Sequence, residues 1–128
     1  MTLEYARDVW RRAQKALSSA EVLLDVSSDD AASRAYYAAF HAVTALFVLR
    51  GTSFSKHTAI RAAVHRDLVN AGEWGIDIGE AFDALCELRD MGDYGGEAHA
   101  DAADAADAVQ TARDILEVVR RSHPELET

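Results

Sequence analysis

Proline occurs once in this chain, at Pro124, and glycine only at positions 51, 72, 75, 79, 92, 95 and 96. These two residues are the strongest breakers of regular structure, so the chain is punctuated at a few places and otherwise unbroken. The long stretches between them show no strand-like alternation of apolar and polar residues. Their apolar residues recur three or four apart, the period of a helix with one buried face. The expectation is an all-α fold, an antiparallel up-and-down bundle of four to five helices joined by short loops.

Leu3, Ala6, Val9/Trp10, Ala13, Leu17, Ala20 and Leu24 predict a first helix over 3–26. Ser27-Ser28-Asp29-Asp30 supplies turn and N-cap chemistry, because a short side-chain oxygen accepts a free N–H of the first turn and the carboxylates suit the positive end of the helix dipole. A second helix over 30–50 follows, with a stripe of Tyr37, Phe40/His41, Thr44 and Phe47/Val48 and enough alanine for close neighbours; Gly51 ends it. Ser53 or Ser55 can cap a third helix running to Val69, with Ile60, Ala63/Val64 and Leu68 inward. A fourth is expected over 77–92 on Ile78, Phe82, Leu85 and Leu88, with Gly95-Gly96 breaking it. The last, over 97–122, contains an Asp-Ala-Ala repeat whose Asp101, Asp104 and Asp107 form a solvated acidic band while Val109, Ala112, Ile115/Leu116 and Val119 pack.

At 128 residues the chain matches one domain, expected over 1–122 with a flexible tail over 123–128. Its single cysteine, Cys86, excludes an internal disulfide and a cysteine-based zinc site, which fits a cytoplasmic location. The first residues carry acids where a secretory signal has an apolar core, and no apolar run is long enough to span a membrane. No cofactor or metal is expected. Trp10, Phe40, Phe47, Phe54 and Trp74 are more apolar bulk than a small bundle readily covers, which points to a homodimer.

The net charge of −9 argues against indiscriminate binding of nucleic acid. It is unevenly spread. Residues 27–66 carry five basic against two acidic side chains, whereas 67–128 carry four against sixteen. The middle third also holds His41, His57 and His65, so an anionic ligand would prefer that surface.

Three groups of residues exceed what a bundle requires. Arg34, Tyr37 and His41 lie at i, i+3 and i+7, on one helix face. Lys56 and His57 fall where a third helix begins, an end that the dipole makes unfavourable for cations, so an anion site there is physically reasonable. Arg89 sits at the last turn of the fourth helix with Asp93 four residues on and Tyr94 beside it. Each has a plain structural alternative: a satisfied core histidine for His41, a loop hydrogen bond for His57, an ordinary Arg89–Asp93 pair. Cys86, next to core Leu85 and without a basic neighbour in sequence, reads as inert packing.

Arg34-Ala-Tyr-Tyr-Ala-Ala-Phe-His41, the Lys56-His57 helix start and Leu88-Arg-Asp-Met-Gly-Asp-Tyr94 together resemble the HEPN family, in particular its small stand-alone prokaryotic members, over about residues 1–122. The resemblance implies a helical homodimer that works beside a minimal nucleotidyltransferase as a toxin–antitoxin pair. It also implies a nucleotide or RNA phosphate held near Arg89, with Arg34, Tyr37, Lys56 and His57 around it. Several HEPN branches are metal-independent endoribonucleases whose hallmark is Arg, four to six residues, then His. Here Tyr94 stands where that histidine is expected, and a phenol is a poor base at neutral pH. A ribonuclease role would fall to His41, then His57, then Asp93. Some partner nucleotidyltransferases place AMP on a tyrosine near the hallmark, for which Tyr94 is the nearest equivalent. The remaining alternative is a non-catalytic oligomerisation bundle.

Overall fold

A computed structural model gives the structure of the protein and describes residues 2–54, 56–94 and 99–127, the side chains of 91–94 excepted. Among them are five α-helices and no strand: α1 (Thr2–Leu23), α2 (Ser28–Leu49), α3 (His57–Ala63), α4 (Ile76–Tyr94) and α5 (Ala102–Ser122). The all-α bundle is as expected. None of these helices is long and apolar enough to cross a membrane.

Helix α2 is the centre, packed by α1, α4 and α5. Its sequence explains why. Ala31, Ala32, Ala35, Ala38, Ala39, Ala42 and Ala45 are all buried, and side chains this small let neighbouring backbones approach closely. Ser27 caps it, its hydroxyl accepting from the Asp30 N–H, and Gly51 follows its end at φ +81°, where a side chain would be strained. The large buried residues Trp10, Leu46, Ile60, Leu68, Phe82 and Ile115 come from α1 to α5 and the stretch after α3, so one core serves the chain.

Four expectations change. The third helix does not stay α-helical to Val69. Val64–Val69 widens into a π-helical stretch, the Asn70 N–H reaching back to the His65 carbonyl at 2.8 Å. There His65 and Val69 lie so close to Gly79 that an added Cβ would stand 2.7 Å from Val69, so only glycine lets α4 pass. Nor is α3 capped by Ser53: Lys56 occupies the N-cap position with no side-chain cap, and the other candidate, Ser55, is outside the described residues. Helix α5 starts at Ala102 rather than 97, because Asp101 and Asp104 form a reciprocal capping box and Asp29 holds the preceding segment through the Ala100 N–H and His99. Residues 123–127 are not a flexible tail: Pro124–Glu127 forms a 3₁₀ turn, Leu126 is buried, and Arg7 donates to the Glu125 carbonyl.

The aromatic argument for a second copy also fails on geometry. Trp10, Phe47 and Trp74 are 2–3% exposed within one chain, and Phe40 and Phe54 are half-buried. The break at Gly95-Gly96 lies outside the described residues.

Candidate functional site

Two adjacent tyrosines on α2 organise the site. Successive helical residues project about 100° apart, so Tyr36 turns into the core, 3% exposed, while Tyr37 stays half-buried at its edge. The Tyr36 hydroxyl lies 2.6 Å from His57 Nδ1 at the start of α3, and Arg89 Nη2 of α4 donates to the Tyr37 hydroxyl at 2.9 Å. The Arg89 guanidinium also stands 5.5 and 5.6 Å from the two phenol rings, within cation–π range, and pairs with Asp90 at 3.2 Å. Phe40, one turn after Tyr36, stacks on the His57 imidazole at 4.3 Å and 9°. Arg34 covers Tyr37 at 4.8 Å. Three helices thus converge on one cluster of rings and cations.

A pocket of about 130 Å³ opens between α2, α3 and α4, lined by Tyr36, His57, Arg61, Cys86, Arg89 and Asp90 among others. Burial pushes the Cys86 thiol up to about 11, so it stays protonated and unreactive, as its sequence context suggests. Burial also raises the Tyr36 phenol above its ordinary value, against the opposing pull of Arg89. His57 is held below the usual histidine value by burial and by the Arg89 charge, and His41 by burial and the charges of Arg12 and Arg34. Both imidazoles are therefore neutral at pH 7. Arg61 is tied to Asp83 at 2.8 Å and Glu87 at 3.2 Å, and Asp83 also meets His65 at 2.8 Å. Among the described residues no three His, Cys, Asp or Glu side chains converge as metal ligands.

The residues singled out in the sequence separate into three groups. Arg34, Tyr37, His57 and Arg89 come together. His57 is held by a phenol rather than by a loop carbonyl. His41 contacts the rings of Tyr37 and Phe40 on the side of Arg34, so the histidine nearer Arg89 is His57. Lys56 is exposed at the N-cap of α3. Asp93 and Tyr94 lie in the last turn of α4, and their side chains are outside the described residues. Sequence reasoning missed Tyr36, the stacking role of Phe40, and Arg61. The signal available for Tyr36 was the doubled tyrosine: on a helix flanked by alanines, one of two consecutive aromatics must point inward.

Charge pairing marks the same region. Most arginines of this acidic chain have a carboxylate within 4 Å: Arg50 meets Glu73, Arg113 meets Glu21, Arg120 and Arg121 meet Glu117. Among the described residues Arg12, Lys15, Arg34 and Lys56 have none. Arg12 and Arg34 bear on His41, and Lys56 precedes His57.

The HEPN domain family matches residues 6–122. The chain belongs to the HEPN family. It is 32% identical over 120 residues to a UPF0332 protein of Thermotoga maritima, covering 93% of this chain and 89% of that one. A UPF0332 protein of Gloeobacter violaceus is 32% identical over 91 residues, 70% of this chain and 72% of that one. In three dimensions this HEPN protein is similar to the crystal structure of TT1696 from Thermus thermophilus, with a TM-score of 0.79 and 26% identity over 91% of this chain and 96% of the other.

Proposed function

We propose that this HEPN protein binds the phosphate of a nucleotide or of RNA at Arg89, as the homodimeric partner of a minimal nucleotidyltransferase in a toxin–antitoxin type system. The observation that carries the binding half is the Arg89 cluster: a guanidinium braced by the Tyr37 hydroxyl and lining a pocket with His57. A fixed guanidinium suits a phosphate because its planar fork matches two oxygens at once. The exposed imidazole of His57 and the ring of Phe40 beside it offer faces on which a base can stack. Pairing with a nucleotidyltransferase rests on family membership. Titration of single-stranded RNA and of ATP into wild-type protein and Arg89→Ala tests the binding half, and binding unchanged by the substitution removes Arg89 from the site. Co-expression with a neighbouring nucleotidyltransferase, followed by sedimentation, tests the partnership and the dimer.

A metal-independent endoribonuclease is the second reading, favoured by one observation: His57, neutral at pH 7, is beside Arg89. Cleavage of single-stranded RNA in EDTA, lost in Arg89→Ala, supports it. Intrinsic cleavage is expected to be weak or absent, because Tyr94 stands in place of the hallmark base.

A further inference from the structure

We propose that Tyr36 is a positioning residue that holds His57 in the tautomer carrying its proton on Nε2, so that the imidazole offers the pocket a hydrogen-bond donor and not a basic lone pair. The donor role rests on the phosphate-binding reading above; the control by Tyr36 does not. Only one hydrogen can lie between the Tyr36 oxygen and His57 Nδ1, 2.6 Å apart. If Nδ1 supplied it, the phenol would have to place its own hydrogen elsewhere. Tyr36 makes no other hydrogen bond among the described residues and is 3% exposed, so that donor would go unmet at a cost of about 1–3 kcal/mol. If the phenol supplies it, nothing is left unmet. A phenol is also a far stronger acid than a neutral imidazole N–H, which favours the same direction.

The surroundings keep the two groups in this relation. Phe40 stacks on one side of the imidazole at 4.3 Å, the Tyr36 ring lies nearly parallel to it at 15°, and Tyr37 meets it edge-on at 6.0 Å. Arg89 and Asp90 of α4 are the charged groups bearing on it. The Arg89 charge and burial both keep the ring neutral, and burial keeps the phenol protonated, so neither partner gives up the arrangement near pH 7. With Nδ1 committed to Tyr36, Nε2–H is the group left to meet a ligand, beside a guanidinium that can only donate. Both are suited to an anionic oxygen. A general base would need the Nε2 lone pair, which this hydrogen bond withholds.

Long-range proton–nitrogen NMR of ¹⁵N-labelled protein at pH 7.5 reads the tautomer directly. The expected result is His57 with Nε2 protonated and Nδ1 not. Tyr36→Phe keeps the ring and removes the hydroxyl. It should give mixed tautomers and raise the His57 pKa, because the lost hydrogen bond favoured the neutral form. A purely structural tyrosine would move neither reading. An Nδ1-protonated His57 in the wild type, or a tautomer and pKa unchanged by Tyr36→Phe, overturns the proposal. Inorganic phosphate then tests the donor role: affinity should survive in His57→Gln, which retains an N–H, and fall about tenfold in His57→Ala, the loss of one charge-assisted hydrogen bond. Equal phosphate affinity of His57→Ala and wild type overturns the donor role while leaving binding at Arg89 intact. No phosphate binding by wild type overturns the donor role and the binding reading together, and leaves Tyr36's control of the tautomer standing if the spectra show it.

Discussion

The two sides of this bundle use charged side chains in different ways. Along α5 the arginines are matched with carboxylates: Arg113 with Glu21, and Arg120 and Arg121 with Glu117. Where α2, α3 and α4 meet, Arg61 is matched with Asp83 and Glu87, but Arg34 and Lys56 have no carboxylate among the described residues, and Arg89 is braced by a phenol as well as by Asp90. Acidic residues are abundant in this chain, so the unmatched cations are not a matter of composition. A cation left without a carboxylate beside stacked rings is available to an anion in a way that the paired arginines of α5 are not.

The largest effect should come from the scaffold side. Trp10 is 2% exposed in the α1 core, and Trp10→Ala is expected to cost about 3–5 kcal/mol in urea unfolding, the usual loss for a large buried aromatic. Arg89→Ala should do the reverse: little loss of stability, but RNA or nucleotide binding down by ten- to a hundredfold, as about 1.5–3 kcal/mol for a charged hydrogen-bonded contact implies. An Arg89→Ala protein that unfolds as readily as Trp10→Ala would erase the distinction, since Arg89 would then be a structural strut.

The fold was legible because helices advertise themselves through breakers and periodicity, and both were plain here. The misplacements arose where local chemistry outweighed period. The Asp-Ala-Ala repeat continues the helical pattern upstream of Ala102, yet Asp101 satisfies the end of α5 better as a cap than as an interior residue. The π stretch lies against Gly79 of another helix at His65 and Val69, a contact that no window of sequence reveals. At the site, Arg34, Tyr37, His57 and Arg89 were legible as polar residues out of place in a bundle. Tyr36 was not, because a buried tyrosine looks like core until its partner is known, and its partner is 21 residues away.

Asp29 gives the next effect, of about 1 kcal/mol for Asp29→Asn, within the range for a side-chain cap of backbone N–H groups. Its carboxylate accepts from the Ala100 N–H at 2.7 Å and meets His99 at 2.9 Å, and these bonds hold its pKa below the ordinary value. A carboxylate lowered in the folded state adds stability above its unfolded pKa and loses it as pH falls through the folded one, so this contribution should fade below about pH 4. The depressed imidazoles of His41 and His57 act earlier and in the same sense: protonation is easier in the unfolded chain, so stability should begin to fall as pH drops below about 6.5. Urea midpoints measured from pH 8 to 3 should show both steps, with the upper step reduced in the His41→Ala, His57→Ala double variant and the lower one in Asp29→Asn.

The smallest stability effects make the sharpest comparison. Arg113 and Arg34 are both exposed arginines on helices, one paired with Glu21 at 2.6 Å and the other over the Tyr37 ring at 4.8 Å. Solvent screens both, so Arg113→Ala and Arg34→Ala should each change unfolding stability by about 0.5 kcal/mol or less. What separates them is salt. If Arg34 meets a phosphate, its loss should reduce the slope of log binding constant against log salt for single-stranded RNA by about 0.7, the counterion released by one such contact, while Arg113→Ala leaves the slope unchanged. Equal slopes in the two variants would mean that the unmatched charge of Arg34 serves no polyanion, and that the asymmetry between the two sides of the bundle has to be explained by something other than nucleic acid.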